Sequence, residues 1–372
     1  MKNKKTPALR GRSTSVILRS LSRTEGVLLN MNHPRWILCL ILLWPASMAL
    51  GQGGMKIFWV DVEGGGATLV VTPAGETILV DTGFPGARDA DHIVQVLKNE
   101  AGKDRIDHLV VTHFDLDHYG GTADLLERVP IGQIYDPGYP NDLHPVWEKG
   151  LNRYREAVGD HRIVLKAGDS LPLIQASGGP EFSVRCLGAA QKFVESPAGC
   201  PENPLCSGFI PKATDTSQNA NSTTLLFQYG PFDFLDAADL TWNLENELVC
   251  PCNLVGKIDV YQVDHHGLDH SNNPVLIRTL EPTVAVANNG PRKGPGPETF
   301  ATLKGTESIE AIYQIHWNLD NGKSGNTDIG RIANPEGEMN YEYVALEVRP
   351  GGESYQVRVP SKGTVEEFAT KL

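Results

Sequence analysis

Residues 107–112 read as an apolar strand, and the chain leaves them directly into His113-Phe114-Asp115-Leu116-Asp117-His118. Four acid or imidazole groups within six residues, at the end of a strand, are costly to fold away unless they acquire partners. A metal site answers that demand. The rigid strand sets an origin, and the turn beyond it lets alternate side chains point into one cavity. Two more groups sit in equivalent places: Asp239 follows the apolar run 232–235, and His265-His266-Gly267 follows 258–263. One such residue alone would be structural or solvated. Three clusters, each at the C-terminal end of an apolar strand, predict a crevice where strand ends converge on metal.

The remaining pattern is strand-rich, with helices between. Strands are expected over 55–62 and 67–72, joined by Gly64-Gly65-Gly66, and over 77–80, ending in Asp81-Thr82-Gly83. Ile93, Val96 and Leu97 give helical spacing to 89–100, and further helices are expected over 122–128, 145–158, near 273–280 and near 298–303. Strands are expected over 132–135, 162–165, 182–187, 223–229, 283–287 and 309–316; a hairpin of 341–349 and 354–359 around Pro350-Gly351-Gly352 closes the chain. Residues 178–220 form a Pro/Gly/Asn-rich insertion, and 288–297 a loop with three Gly-Pro steps. There is no repeat and no clean linker. The reading is one domain, 52–372, of two β-rich halves with helices outside.

Residues 1–51 differ. They hold eight of the 33 basic residues and one of the 45 acids, leaving the remainder at −19 against −12 for the whole chain. A basic stretch, the apolar run 36–44 and then Pro-Ala-Ser-Met-Ala-Leu-Gly make a secretory signal, with cleavage after Ala49 or Gly51 and Met31 as an alternative start. An uncleaved anchor is the competing reading, but the run is short for a bilayer. The expected location is therefore secreted or periplasmic, with no stable membrane insertion after cleavage. Export permits disulfides. Cys200–Cys206 is the expected pair, Cys186 a buried thiol in a strand, and Cys39 leaves with the leader. Zinc on the loop cysteines would need spacings other than C-x5-C and C-x-C.

The motif T-H-F-D-L-D-H-Y-G-G resembles the first metal motif of the metallo-β-lactamase superfamily, H-x-H-x-D-H, with aspartate in the middle place. The H-x-D-x-D-H variant is similar to the hydrolase domain of ComEC-type competence proteins. Phe58-Trp59-Val60-Asp61-Val62, Asp81-Thr82-Gly83, Asn221-Ser222-Thr223-Thr224-Leu225, Ala238-Asp239 and the final H-H-G resemble that family's other motifs, in order, over residues 55–316.

The resemblance implies an αββα four-layer sandwich and a site for two divalent ions, Zn²⁺ or Mn²⁺. Asp117, His118, His266 and bridging Asp239 would hold one ion; His113, Asp115 and Asp239 the other. His265 would stand behind the ligands or give a proton to a leaving group, and Asp117 or Asp239 would orient the water. Asp81 would hydrogen-bond the ligand loop. The family's third-motif histidine is missing: His144 and His161 lie beside a helix, so Asn219, Asn221 or Ser222 would point there instead. Oxygen-rich ligation favours harder ions at that position. Tyr119 reads as packing or as an oxyanion donor, His270 as a solvated loop residue, and the triple glycine as a hairpin turn, since no helix or lysine follows it. Trp147 and Tyr154, seven apart, read as core or lid packing.

The expected function is an exported metal-dependent hydrolase that uses a metal-activated water on a phosphodiester or related ester. A small-molecule or headgroup ester is the expected partner. A nuclease is the alternative, disfavoured by the acidic charge, and a non-catalytic metal-binding protein on the same fold is the other.

Overall fold

Alternation along the strands decides the layers. In Lys56–Trp59, Ile57 and Trp59 turn to one face and Phe58 to the other, and all three are buried. In the computed structural model, which describes residues 53–140, 145–335 and 341–371, those two faces belong to different cores. Ile57, Trp59, Val70, Ile78 and Val110 meet Val184, Phe227, Phe234, Val260 and Tyr313 across the space between two sheets. Phe58, Leu69, Leu79 and Leu109 instead meet Ala90, Ile93, Leu125, Leu151 and Tyr154 from helices outside. A third core packs Leu235, Tyr261 and Ala285 under Leu276, Ile277 and Phe300. The layers are therefore helix, sheet, sheet, helix, as expected. Each large side chain in the central layer matters: truncating Trp59 to Ala would cost about 3–5 kcal/mol.

Among the described residues the first sheet runs, edge to edge, Val365–Ala369, Ser354–Arg358, Val344–Val348, Lys56–Trp59, Thr68–Val71, Thr77–Val80, Ile106–Val110, Ile131–Asp136 and Arg162–Val164. The second runs Ile332–Asn334, Ala311–His316, Val284–Ala287, Val260–Gln262, Phe232–Asp236, Thr224–Tyr229, Phe182–Ala189 and Lys192–Phe193. Thr77–Val80 is parallel to Ile106–Val110, and Phe232–Asp236 is parallel to Val260–Gln262. The motif loops after these strands thus leave each sheet on a common edge. A buried polar tie crosses the central layer just below. Gln262 Oε1 accepts from Trp59 Nε1 at 2.9 Å and Thr68 Oγ1 at 2.8 Å, while its Nε2 donates to Asp236 Oδ1 at 2.7 Å.

The closing hairpin is present as Val344–Val348 against Ser354–Arg358. Pattern reading misses Val365–Ala369, an edge strand whose Glu366-Glu367 pair hides the alternation, and the short helix Trp242–Glu247. The described residues all belong to one unit, residues 50–372. The expected leader, Met31, Cys39, His144 and the Trp147 side chain lie outside what is described. No helix among the described residues is long and apolar enough to cross a membrane.

The expected Cys200–Cys206 bond is wrong. Cys200 bonds Cys252 and Cys206 bonds Cys250, with Cα separations of 6.0 and 5.8 Å. The reason is apposition. Residues 200–206 run antiparallel beside 250–252, with Glu202 bridging Cys252 and Asn203 N–H donating to Pro251 O at 2.7 Å, so each cysteine meets one across the pair. Two crosslinks spanning 52 and 44 residues pin the insertion to the second half. Cys186 is the buried strand thiol expected.

Candidate metal centre

Asp117, His118, Asp239 and His266 converge, with their donor atoms within 4.8 Å of one another. His118 Nε2 and His266 Nε2 are 3.2 Å apart, and each is 3.2 Å from Asp239 Oδ2. Asp117 Oδ2 lies 3.6 Å from the first imidazole and 3.4 Å from the second. Four donors about 2.0–2.2 Å from one ion, arranged tetrahedrally, stand about 3.3–3.6 Å apart. These separations bracket that range, so the side chains fit a divalent ion as they stand.

Hydrogen bonds on the far ring nitrogens turn every Nε2 inward. His118 Nδ1 donates to Asp81 Oδ2 at 2.7 Å, and His266 Nδ1 donates to Asn288 O at 2.9 Å. Thr112 Oγ1 gives its proton to Asp81 Oδ2, so at 3.0 Å it accepts one from His113 Nδ1. Ser271 Oγ likewise donates to Leu240 O and accepts from His265 Nδ1 at 3.3 Å. His113 Nε2 is left buried with no hydrogen-bond partner. It lies 3.9 Å from Asp115 Oδ2. A buried imidazole lone pair facing carboxylates is what a second ion would use. On this side the donors are looser than in the first cluster, and the Asp115 side chain is 32% exposed.

The loops hold this arrangement under strain. Asp81, Ala238, His265 and His266 have φ of 63°, 53°, 52° and 56°, a region that costs non-glycine residues about 1–3 kcal/mol each. Each of these residues lies just past a strand end, where the chain must reverse sharply to send a side chain back into the crevice. The glycine turn packs directly beneath: Gly66 N–H donates to Asp117 O at 2.9 Å, and a Cβ on Gly66 would lie 2.7 Å from His118 Nδ1.

The field inside favours positive charge. Burial opposes it, yet Asp239, Asp81 and Asp117 hold the His118 pKa well above the ordinary value. Asp239 is pulled well below the carboxylate range, against its burial, by His118, His266 and His265. Asp117 is lowered in the same way by His118, His266 and Lys293. A field that would retain a proton on a buried imidazole is equally suited to a divalent cation. Asp115 moves the other way, pushed up to about 6 by burial and by Asp117.

Of the six expected ligands, Asp117, His118, Asp239 and His266 form the tight cluster, while His113 and Asp115 stand 3.9 Å apart beside it. His265 lies beside the tight cluster rather than in it. Burial pushes its pKa down to about 4, and its Nε2 accepts from Asn219 Nδ2 at 3.2 Å while lying 3.5 Å from Asp239 Oδ2. In this arrangement Nε2 is the accepting nitrogen of the ring. Asn219 and Ser222 do reach the site, Ser222 Oγ at 3.4 Å from His113 Nδ1, whereas Asn221 bonds Gln191 and Gln218 instead. Tyr119 is packing, edge-on to Phe114 and Tyr154. Tyr154 is buried and donates to Asp136 Oδ2, and His270 is exposed. The glycine run makes the turn between paired strands.

Sequence reasoning missed Lys293, whose Nζ contacts Asp117 Oδ2. Its loop is clamped to the ligand turn. Asn289 Nδ2 and Asn318 Nδ2 both donate to Gly294 O, and Gly294 has φ 71° where a Cβ would fall 1.9 Å from His266 O. The three Gly-Pro steps were the available signal; nothing in them marks the lysine.

Residues 61–187 match the metallo-β-lactamase superfamily. Recombination protein 2 of Haemophilus influenzae is 26% identical over 257 residues, covering 68% of this chain and 26% of that one. ComE operon protein 3 of Bacillus subtilis is 24% identical over 270 residues, covering 68% and 30%. The chain thus spans about a quarter to a third of the length of these curated relatives. Among solved structures, a mutant of CmlA beta-hydroxylase aligns with a TM-score of 0.43 and 16% identity over 70% of this chain and 52% of that one. The family match and the assembled donors of Asp117, His118, Asp239 and His266 point to the same place, a metal-binding crevice at the strand ends.

Proposed function

We propose that the chain is an exported phosphodiesterase working on small or headgroup phosphodiesters with two divalent ions, Zn²⁺ or Mn²⁺. The observation that carries the substrate class is Lys293. Three aspartates enter the crevice, and two divalent ions more than offset them. Adding a lysine to that excess makes a centre suited to a substrate that is itself anionic, which a lactone or an unadorned ester is not. Divalent ions bound there would supply Lewis acidity, lowering the pKa of an attacking water and offsetting charge on the phosphoryl oxygens.

The side chains divide the remaining work. Asp117, His118, Asp239 and His266 would hold the tighter ion. His113, Asp115 and bridging Asp239 would hold the other, with His265 Nε2 as the donor that replaces the missing third-motif histidine. Asp117, kept deprotonated, orients the water, and Lys293 holds a non-bridging phosphoryl oxygen. Residues 1–51 act as the export leader and 52–372 as the working domain. The disulfides support an oxidising destination.

A polynucleotide substrate is the second reading, favoured by the name of the Haemophilus relative. The acidic charge weighs against it, since phosphate neutralisation dominates such binding. The test is a substrate panel with the metal-loaded full chain: bis(4-nitrophenyl) phosphate, DNA and RNA oligonucleotides, a lactone and a β-lactam. Turnover of the small diester above all others supports the proposal. Preferred cleavage of oligonucleotides replaces it with the nuclease reading, and no turnover by protein carrying its metal leaves a binding protein. Mass spectrometry of the mature chain should place its N-terminus between residues 50 and 52; a chain retaining Met31 refutes export.

A further inference from the structure

A second group of donors lies outside the catalytic crevice. Asp61, Glu63 and His316 each bring a ligand atom within 4.8 Å of the others. Asp61 follows the strand Lys56–Trp59 of the first sheet, and His316 ends Ala311–His316 of the second. His316 Nε2 is 2.7 Å from Asp61 Oδ1, and the two side chains are 4% and 0% exposed.

Three observations set this group apart from an ordinary acid–histidine pair. Asp61 Oδ2 is buried with no hydrogen-bond partner, and so is Glu63 Oε1. Glu63 is held at φ 56° by its N–H bond to Asp61 Oδ1 at 2.9 Å, a strained backbone that keeps both acids on one short turn. The nearby arginine, Arg88, acts on Glu63 and Asp61 only through space, because its hydrogen bonds go elsewhere: its Nε pairs with Asp89 at 2.5 Å, and its Nη2 reaches the Val62 carbonyl. Two carboxylates facing one imidazole, with buried oxygens unpaired, need a positive partner.

We propose that Asp61, Glu63 and His316 form a third divalent-cation site, separate from the catalytic pair. Two carboxylates and one imidazole suit a borderline ion such as Mn²⁺ or Zn²⁺. The site has a structural task. The turn that carries Glu63 packs on the loop that presents Lys293, because a Cβ on Gly290 would lie 2.9 Å from Glu63 O and one on Gly64 would lie 2.9 Å from Gly290 Cα. An ion here ties the first strand of one sheet to the end of a strand in the other and fixes that loop from behind.

The inference does not rest on the phosphodiesterase reading, and its test counts ions. The full chain with Asp239→Asn and His266→Ala, which removes donors of the central cluster, is stripped with chelator. It is then titrated with Mn²⁺ alone, free Mn²⁺ being followed by electron paramagnetic resonance, and with Zn²⁺ alone against a chromophoric chelator. The expected result is one retained ion per chain, weakened at least about tenfold by adding Glu63→Gln, as loss of even a supporting group does at metal sites. Asp61→Asn should weaken it similarly. Should that buried variant fail to fold, the half-buried Glu63→Gln carries the test. The proposal is overturned if the central-site variant, folded by circular dichroism, binds neither ion. It is equally overturned if the retained ion is indifferent to Glu63→Gln.

Discussion

Replacing Lys293 by Met removes one positive charge from the mouth of the crevice and leaves the metal donors in place. The lysine side chain is 32% exposed. At an effective dielectric of about 20, a unit charge about 4 Å from a phosphoryl oxygen interacts by about 4 kcal/mol. Partial exposure screens that figure, and a hydrogen bond to a charged group nets about 1.5–3 kcal/mol. The expected loss in kcat/KM for bis(4-nitrophenyl) phosphate is therefore about 10- to 150-fold. For the neutral 4-nitrophenyl acetate it should be within about threefold, since no anion awaits the lysine there. Lys293→Arg should recover most of the diesterase activity. Metal content by mass spectrometry should stay level or rise, because Asp117 loses its competing cation. Equal losses on both substrates would refute the assignment of Lys293 to substrate charge. Loss of metal in Lys293→Met would show that the lysine supports the ligand set instead.

Three further outcomes follow from the geometry. His266→Ala should lose the tightly held ion, whereas His265→Ala should lose only the chelator-labile one; metal counts on both variants check this, and the reverse pattern would exchange their roles. Asp236, buried with one oxygen unpartnered, has its pKa pushed up to about 7 by burial, so in metal-free protein its contribution is fully present below about pH 4 and is lost as pH rises towards 7. Asp236→Asn should flatten that slope, worth about 4 kcal/mol at most, in denaturant titrations from pH 5 to 8; an unchanged slope refutes it. The Cys186 thiol, pushed up to about 12 by burial, should be alkylated by iodoacetamide only after denaturation, as peptide mapping will show; labelling of native protein would contradict its burial.

The layers were legible because the apolar runs in this chain are unusually clean. Thr77–Val80 and Val284–Ala287 are buried along their whole length, so their strand character survives any register. Val365–Ala369 is an edge strand with only Phe368 fully inside, and such a strand has no need of the alternation that would betray it. The disulfides were illegible for another reason. Short spacing suggested Cys200–Cys206, but pairing is decided by which segment lies opposite, and Cys250 and Cys252 are brought there by the fold of residues more than forty positions away.

The site divides along the same line. Its ligands announced themselves because each is chemically costly at a strand end, so their mere presence carried information. Lys293 did not: a lysine in a loop is ordinary, and its meaning comes only from contact with Asp117, 176 positions earlier. Between His265 and His266 the sequence offers two identical side chains, and the backbone alone separates them. Consecutive left-handed residues aim one ring at Asn288 O and the Asp117–His118 cluster, and the other at Ser271 and Asn219. Both nevertheless present Nε2 to the same oxygen, Asp239 Oδ2, at 3.2 and 3.5 Å. That shared carboxylate is where the proposed second ion would meet the first. A lone ion in the tight cluster would leave His113 Nε2 buried without a partner, 3.9 Å from an Asp115 carboxylate that has no proton to give it once ionised.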